Sequence, residues 1–143
     1  MKDCIIIGGG PAGLNASLVL GRARREIVLL DHNNARNKVT HASHGFITRD
    51  GIKPSEFREI AHQEFKSYPS VEIVSDQVVK LTTIKNGFKV TTDRGYEWDC
   101  RKVILATGVK EKFPNIPTLQ DFYGTSIFIC PYCDGWEYND KPL

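Results

Sequence analysis

The chain has 143 residues, with 41% hydrophobic residues, 25% charged residues and a formal net charge of +2, which suits one modest globular domain with its own core. No apolar stretch is long enough to span a membrane, and the short apolar run near the N-terminus is not followed by a signal-peptide cleavage site. We therefore expect a cytoplasmic protein, with neither a membrane nor a nucleic acid as partner, whose four cysteines do not form a structural disulfide framework.

The beginning of the chain has the order of a dinucleotide-binding unit. Cys4–Ile7 is an apolar run that predicts a strand buried on both faces, and it leads into the glycine-rich turn Gly8–Gly13. The helix that follows carries apolar residues on opposite sides, which predicts burial nearly all round. A second apolar strand, Ile27–Leu30, ends on Asp31. Strand, glycine turn, helix, strand and terminal acid together predict a site for an adenine dinucleotide.

Each residue of this unit has a physical task. Gly8 allows a sharp turn from strand to helix, Gly10 leaves room for a pyrophosphate at the backbone, and Gly13 allows the helix to pack closely on the strand. The helix N-terminus offers free N–H groups to the phosphates. Asp31 lies 18 residues after Gly13, about where a ribose hydroxyl needs an acceptor. A glycine-rich turn without a ligand is the alternative, and the agreement of strand, helix and acid disfavours it.

A long polar stretch, His32–Lys53, follows without apolar periodicity. A loop of this length in a compact domain is usually functional, and we expect it to lie along a bound cofactor with Arg36 and Asn37 as polar contacts. His41 and His44 have no Cys or carboxylate pair at ligand spacing, so no metal site is predicted there.

The next segment predicts an amphipathic helix that begins at Pro54, in the first-turn position that proline tolerates. Its apolar stripe contains Phe57, Ile60, Ala61 and Phe65. His62 is interpreted as a surface residue of this helix.

Residues 71–105 predict β-structure, with a meander inserted into an α/β domain. The predicted strands are Val71–Val74, Val78–Ile84, Phe88–Thr92, Tyr96–Asp99 and Lys102–Leu105. Asn86-Gly87 is a strong hairpin signal. The small-residue turn Ala106–Gly108 follows the last strand, where the backbone can approach a ligand. Cys4 and Cys100 are interpreted as packing residues.

The C-terminal part contains a Cys-x-x-Cys motif. Phe113–Pro117 is a predicted connector, and Ser126–Ile129 is a predicted short strand before Cys130 and Cys133. The pair is interpreted first as a redox dithiol at a helix N-terminus, then as part of a zinc site, then as an inert pair. Asp134 could hold or pass the proton that thiol exchange must move.

The motifs Gly8–Gly13, Ala106–Gly108 and Cys130–Gly135, in this order, resemble those of the low-molecular-weight thioredoxin reductases and their relatives. The resemblance implies a Rossmann-like, three-layer α/β FAD-binding domain. It implies FAD at the glycine turn, and reduction of FAD by NADPH, with electrons passed to the cysteine pair. Thioredoxin or a small-molecule disulfide or dithiol is the implied partner, and the complete protein is expected to be a homodimer.

The resemblance also implies roles for single residues. Cys133 would face the flavin, Cys130 would attack the disulfide substrate, and Asp134 would donate the proton. The residues implied at the cofactor are Gly8, Gly10, Pro11, Ala12, Gly13, Asp31, Arg36, Asn37, His44, Val78, Ala106, Thr107 and Gly108.

Two features depart from the thioredoxin-specific members. The loop reads Asn34-Ala35-Arg36-Asn37 where those members carry Gly-Gly-Gln, and Pro131-Tyr132 stands between the cysteines where they carry Ala-Thr. With His44, these features resemble the branch that contains fungal dithiol oxidases and bacterial thioredoxin-reductase-like proteins, so a dithiol oxidase using oxygen is one alternative. The others are an electron-transfer module that acts with separate subunits and an NAD-binding enzyme with an incidental cysteine pair.

The resemblance further implies an N-terminal fragment that is inactive alone. Residues 1–113 are expected to belong to an incomplete FAD-binding domain. Residues 114–143 are expected to form a connector and the start of an NADPH-binding domain. The NADPH motif itself is expected beyond residue 143.

Overall fold

The computed structural model describes residues 1–142, which form two compact units. The first unit contains residues 1–35 and 58–109, and the second contains residues 36–57 and the chain from Lys110 onward. Among the described residues, no helix has the length and apolarity needed to cross a membrane.

The first unit is built on one six-stranded mixed sheet. Its strands are β1 (Lys2–Ile7), β2 (Ile27–Leu30), β3 (Val71–Val74), β4 (Val78–Ile84), β5 (Gly87–Thr92) and β6 (Glu97–Leu105). The helices in this part of the chain are α1 (Pro11–Arg22) and α2 (Pro54–Phe65), of which α2 crosses the boundary between the units. The proline start predicted for α2 is confirmed.

The strands are arranged in the order β3-β2-β1-β6-β5-β4. β3, β2, β1 and β6 run parallel, as expected of a Rossmann-like α/β domain, while β4, β5 and β6 form an antiparallel meander. The predicted α/β fold class is therefore confirmed. The strand predicted at Val71–Val74 is confirmed as β3, which pairs in parallel with β2.

The prediction of two separate strands at 96–99 and 102–105 is wrong, because this segment forms the single strand β6. It is one strand of nine residues, Glu97–Leu105. Its first part pairs with β5 and its second part with β1, and Cys100 is paired on both sides, with Phe88 and with Lys2. Because each half has a partner strand, the backbone stays extended through Cys100 and Arg101.

The core of the first unit lies between the central strands and the meander. Its buried residues are Ile5, Val28, Leu30, Val90 and Cys100. All four residues of β2 are at most 1% exposed, which agrees with a strand covered on both faces. Cys4 and Cys100 are buried thiols, and burial raises the pKa of each, so their interpretation as packing residues is confirmed.

α1 corrects the expectation of a helix buried nearly all round. It buries one face, made of Gly13, Leu14, Ser17 and Gly21. Val19 on another face is 61% exposed. The residues that pack on β1 and β2 are mostly small, because small side chains allow the helix axis to approach the sheet closely.

The second unit is made of short elements. These are a 3₁₀ turn at Arg36–Val39, α3 (Leu119–Phe122), α4 (Pro131–Asp134) and a second 3₁₀ turn at Gly135–Tyr138. The strand predicted at 126–129 is wrong: this segment has a single bridge, between Tyr123 and Ile127. The Ile127 N–H donates to the Phe122 carbonyl within a tight turn, and Phe128 packs on the Tyr138 ring at 4.9 Å between centroids, so the apolar residues serve a local turn.

Candidate cofactor-binding turn and redox disulfide

The glycine turn between β1 and α1 is packed so closely that two of its glycines admit no side chain. Gly8 has a φ of +110°, and a Cβ there would overlap the carbonyl group of Ala106. A Cβ on Gly13 would overlap the carbonyl oxygen of Gly8. The Gly8 N–H donates to the Leu30 carbonyl at 2.8 Å, which ties the turn to the end of β2.

Gly10 differs from these two, because no heavy atom of the described residues, apart from its own chain neighbours, lies within 4 Å of the position that its Cβ would occupy. It precedes α1 in an extended conformation and supplies no side-chain cap, and Pro11 occupies the start of the helix. The first turn of α1 contains no acidic residue. The first N–H groups of a helix have no acceptor within it, so this open N-terminus is suited to an anion such as a pyrophosphate.

Asp31 lies at the end of β2 next to this turn. Its backbone N–H donates to the Val74 carbonyl at 3.1 Å, and its side chain is 12% exposed. A Cβ on Gly9 would lie 2.6 Å from the Asp31 carboxyl carbon, so the carboxyl group packs directly on the Gly9 backbone. The fold therefore brings together the glycine turn and the acid that the sequence predicts to bind ribose.

Arg58 is a residue of this site that the sequence analysis missed. From α2, its Nη2 donates to Asp31 Oδ2 and to Asn33 Oδ1. The Asn33 N–H donates to the other Asp31 oxygen, Oδ1, at 3.3 Å. Only the helical phase of α2, which places Arg58 beside its apolar stripe, could have indicated this contact from sequence.

His62, one turn after Arg58, corrects the interpretation of a surface histidine. Its side chain is half-buried, and its Nε2 lies buried with no hydrogen-bond partner in the described part of the chain. Burial and the neighbouring Arg58 charge lower the pKa of His62, while Asp31 opposes them. The ring is therefore held in its neutral form at neutral pH.

The predicted turn after β6 closes the other side of the glycine turn. The Ala106 N–H donates to the Ile7 carbonyl at 2.8 Å, and Thr107 Cα lies 3.2 Å from the place of a Gly8 Cβ. Gly108 has a φ of +67° and open space at its Cβ position. Val78 on β4 is partly buried and packs against the core.

Three further predicted residues lie in the second unit. Arg36 donates from Nη1 to Glu111 at 3.0 Å, and Asn37 donates to the Ser43 hydroxyl at 3.5 Å. His44 has two carboxylate neighbours: its Nδ1 is 3.6 Å from Asp50, and its Nε2 is 3.4 Å from Glu137.

Cys130 and Cys133 form a disulfide at the start of α4. Cys130 precedes the helix, Pro131 begins it, and the N–H groups of Cys133 and Asp134 both donate to the Cys130 carbonyl, at 3.1 and 3.2 Å. The Cα–Cα distance is 5.2 Å. Tyr132 is 96% exposed, and both cysteines are half-buried. Within residues 1–142, no group of three or more His, Cys, Asp or Glu side chains could hold a metal ion.

Comparison with known proteins places this chain in a family. The sequence profile of the pyridine nucleotide-disulphide oxidoreductases matches residues 2–143. A protein of Arthroderma benhamiae named "Probable thioredoxin reductase" is 42% identical over 99% of the chain, which covers 36% of that protein. Thioredoxin reductase aclD of Aspergillus oryzae is 38% identical over 98% of the chain, which covers 45% of that protein.

Solved structures of proteins with similar sequences also superpose closely on this chain. TrxB of Bacillus anthracis superposes with a TM-score of 0.95 at 55% identity, covering 99% of this chain and 48% of that one. An oxidoreductase of Agrobacterium tumefaciens superposes with a TM-score of 0.92 at 39% identity, covering 96% of this chain and 47% of that one. The chain thus spans less than half the length of each of these relatives. By sequence and by fold, it belongs to the pyridine nucleotide-disulphide oxidoreductases.

Proposed function

We propose that this chain is part of a flavoprotein that moves electrons between NADPH, FAD and the Cys130–Cys133 disulfide, with thioredoxin or a small-molecule disulfide as substrate. The observation that carries the proposal is the presence of an open, uncapped glycine turn and an oxidised cysteine pair in one chain. The names of the fungal relatives support thioredoxin as a substrate.

The residues of the first unit fit FAD. The space at Gly10 and the N-terminus of α1 would accept the pyrophosphate, with Pro11, Ala12 and Gly13 around it, and Asp31 would accept a ribose hydroxyl. When bound, FAD supplies a reversible exchange of two electrons with a dithiol. Further contacts to the cofactor are proposed for Arg36, Asn37, His44, Val78, Ala106, Thr107 and Gly108.

The cysteine pair then performs thiol–disulfide exchange. Reduction of the Cys130–Cys133 disulfide takes up two electrons and two protons and gives a dithiol, with Asp134 as the proposed proton carrier. The Cys130 thiolate attacks one sulfur of the substrate disulfide, and the other substrate sulfur leaves as a thiolate. Cys133 then attacks Cys130, which restores the intramolecular disulfide and releases the second substrate thiol.

We further propose that residues 1–113 belong to the FAD-binding domain and that residues 114–143 connect it to an NADPH-binding domain. The complete protein would work as a homodimer in the cytoplasm. Because the nicotinamide-binding motif is expected outside these residues, we expect no NADPH-dependent turnover by the chain alone.

The test is titration of the chain with FAD, followed by quenching of flavin fluorescence. Gly10→Val fills the space at the turn, so FAD affinity should fall at least about tenfold, which equals about 1.4 kcal/mol. The free energy of unfolding should fall by only about 1 kcal/mol, because the Cβ position is open and valine is a poorer N-cap than glycine. Arg25→Gln, at an exposed position, is the control and should bind FAD as the wild type does. Equal FAD affinity of Gly10→Val and wild type would overturn the assignment of the turn.

A further inference from the structure

Arg58 joins α2 to the end of β2 through a single nitrogen. Its Nη2 donates to Asp31 Oδ2 and also to Asn33 Oδ1. The Arg58 and Asp31 side chains are 19% and 12% exposed, so this pair is largely removed from solvent. The guanidinium therefore restrains both the carboxylate and the loop that follows it.

The contacts leave one carboxylate oxygen available. Among the described residues, Asp31 Oδ2 accepts from the guanidinium, and Oδ1 accepts the longer bond, at 3.3 Å from the Asn33 N–H. The carboxyl group also packs on the Gly9 backbone. A carboxylate oxygen can accept more than one hydrogen bond, so Oδ1 keeps capacity for a further donor.

A second donor of the guanidinium has no such contact. Within residues 1–142, Arg58 Nε is buried without a hydrogen-bond partner, as is His62 Nε2 one turn further along α2. Leaving a buried polar group unsatisfied is unfavourable. The arginine thus reaches Asp31 and Asn33 while a donor of its own remains unpaired.

We propose that Arg58 is a positioning residue of the ribose subsite. By holding Oδ2, it orients the Asp31 carboxylate so that Oδ1 accepts the 2′-hydroxyl of the adenosine ribose, and it thereby sets the preference for ribose over 2′-deoxyribose. This inference rests on the proposed binding of an adenine dinucleotide at the turn.

The experiment compares two nucleotides that differ by that hydroxyl alone. Isothermal titration calorimetry measures the Kd of ADP and of 2′-deoxy-ADP for the wild type, Arg58→Gln, Asp31→Asn and the exposed control Arg25→Gln. A hydrogen bond to a charged group is stronger than one between neutral groups. We therefore expect the wild type and Arg25→Gln to bind ADP at least about tenfold more tightly than 2′-deoxy-ADP, which equals about 1.4 kcal/mol. In Arg58→Gln, the Kd values of ADP and 2′-deoxy-ADP should differ by no more than about twofold.

The ratio of the Kd of 2′-deoxy-ADP to that of ADP separates a positioning role from a merely structural one. Loss of a structural role would weaken the binding of both nucleotides by the same factor and leave this ratio unchanged. If Asp31→Asn loses the preference and Arg58→Gln keeps it, the inference about Arg58 is overturned while the ribose contact stands. If the wild type shows no preference or binds neither nucleotide, the proposed ribose contact fails and the inference with it. If Arg58→Gln does not fold, Arg58→Met replaces it, because methionine keeps an unbranched apolar side chain and has no N–H donor. A wild-type ratio in Arg58→Met would then overturn the inference.

Discussion

When Gly13 in α1 is replaced by alanine, helix propensity and tertiary packing have opposite effects on the free energy of unfolding. In a helix interior, alanine is more favourable than glycine by about 1 kcal/mol, so propensity alone predicts stabilisation. In this structure the new Cβ would overlap the Gly8 carbonyl oxygen. That atom belongs to a turn hydrogen-bonded to β2, so it has little freedom to move away.

The expected magnitude follows from what the added carbon meets at each glycine of the helix. Overpacking costs about 1–3 kcal/mol or more, and the rigid backbone places Gly13→Ala at the upper end, for a net loss of about 2 kcal/mol after the gain in propensity. At Gly21 the Cβ would lie 2.6 Å from a Val71 methyl group, which can shift, so Gly21→Ala should cost less. At Gly10 the space is open, and Gly10→Ala should lose about 1 kcal/mol or less, because alanine is a poorer N-cap than glycine.

Urea unfolding followed by circular dichroism measures all three variants against the wild type. The free energy of unfolding should be lowest for Gly13→Ala, intermediate for Gly21→Ala and closest to the wild type for Gly10→Ala, with equal urea dependence if the native state is unchanged. A Gly13→Ala protein as stable as the wild type, or more stable, would refute the close packing of the turn on which the cofactor site depends.

The remaining predictions concern His62 and the two redox cysteines. Because burial and Arg58 lower the pKa of His62 below 6.5, the unfolded chain protonates first, and the wild type should lose unfolding free energy as the pH falls through 6.5 toward the lowered pKa. His62→Gln should flatten that part of the pH profile; an unchanged slope would contradict the burial of the ring. For the cysteines, Cys133→Ser should form a mixed disulfide with dithiobis(nitrobenzoate) several-fold faster than Cys130→Ser, as measured by thionitrobenzoate release, because Cys130 is the proposed substrate-facing thiol. The buried thiols Cys4 and Cys100 should contribute little, and faster reaction of Cys130→Ser would reverse the proposed roles.

Sequence patterns predicted much of the first unit, because the conformational preferences of its short segments agree with the structure that they adopt in the fold. The strands β1 and β2 are continuous apolar runs, and such runs indicate strands covered on both faces. The hairpin predicted at Asn86-Gly87 joins β4 and β5, but the two connecting residues are Lys85 and Asn86, while Gly87 begins β5 and pairs with Ile84. Asn86 has a positive φ of 69°. Sequence patterns gave the wrong strand bounds for β6, because that strand is extended by pairing with β1 and β5. They also predicted a strand at 126–129, where apolar residues such as Phe128 instead pack within a local turn.

By itself, the sequence determined the order of strand, glycine turn and helix, the acid at the end of β2 and the cysteine pair, because each depends on neighbouring residues or short spacing. Tertiary structure alone decided that Arg58 contacts Asp31, that His62 is half-buried, and that α1 buries one face only. These features depend on how α1 packs on β1 and β2 and on the contacts that α2 makes at the end of β2. That geometry arises from contacts between residues far apart in the chain, and helical periodicity restricts which faces are available without deciding what each face meets.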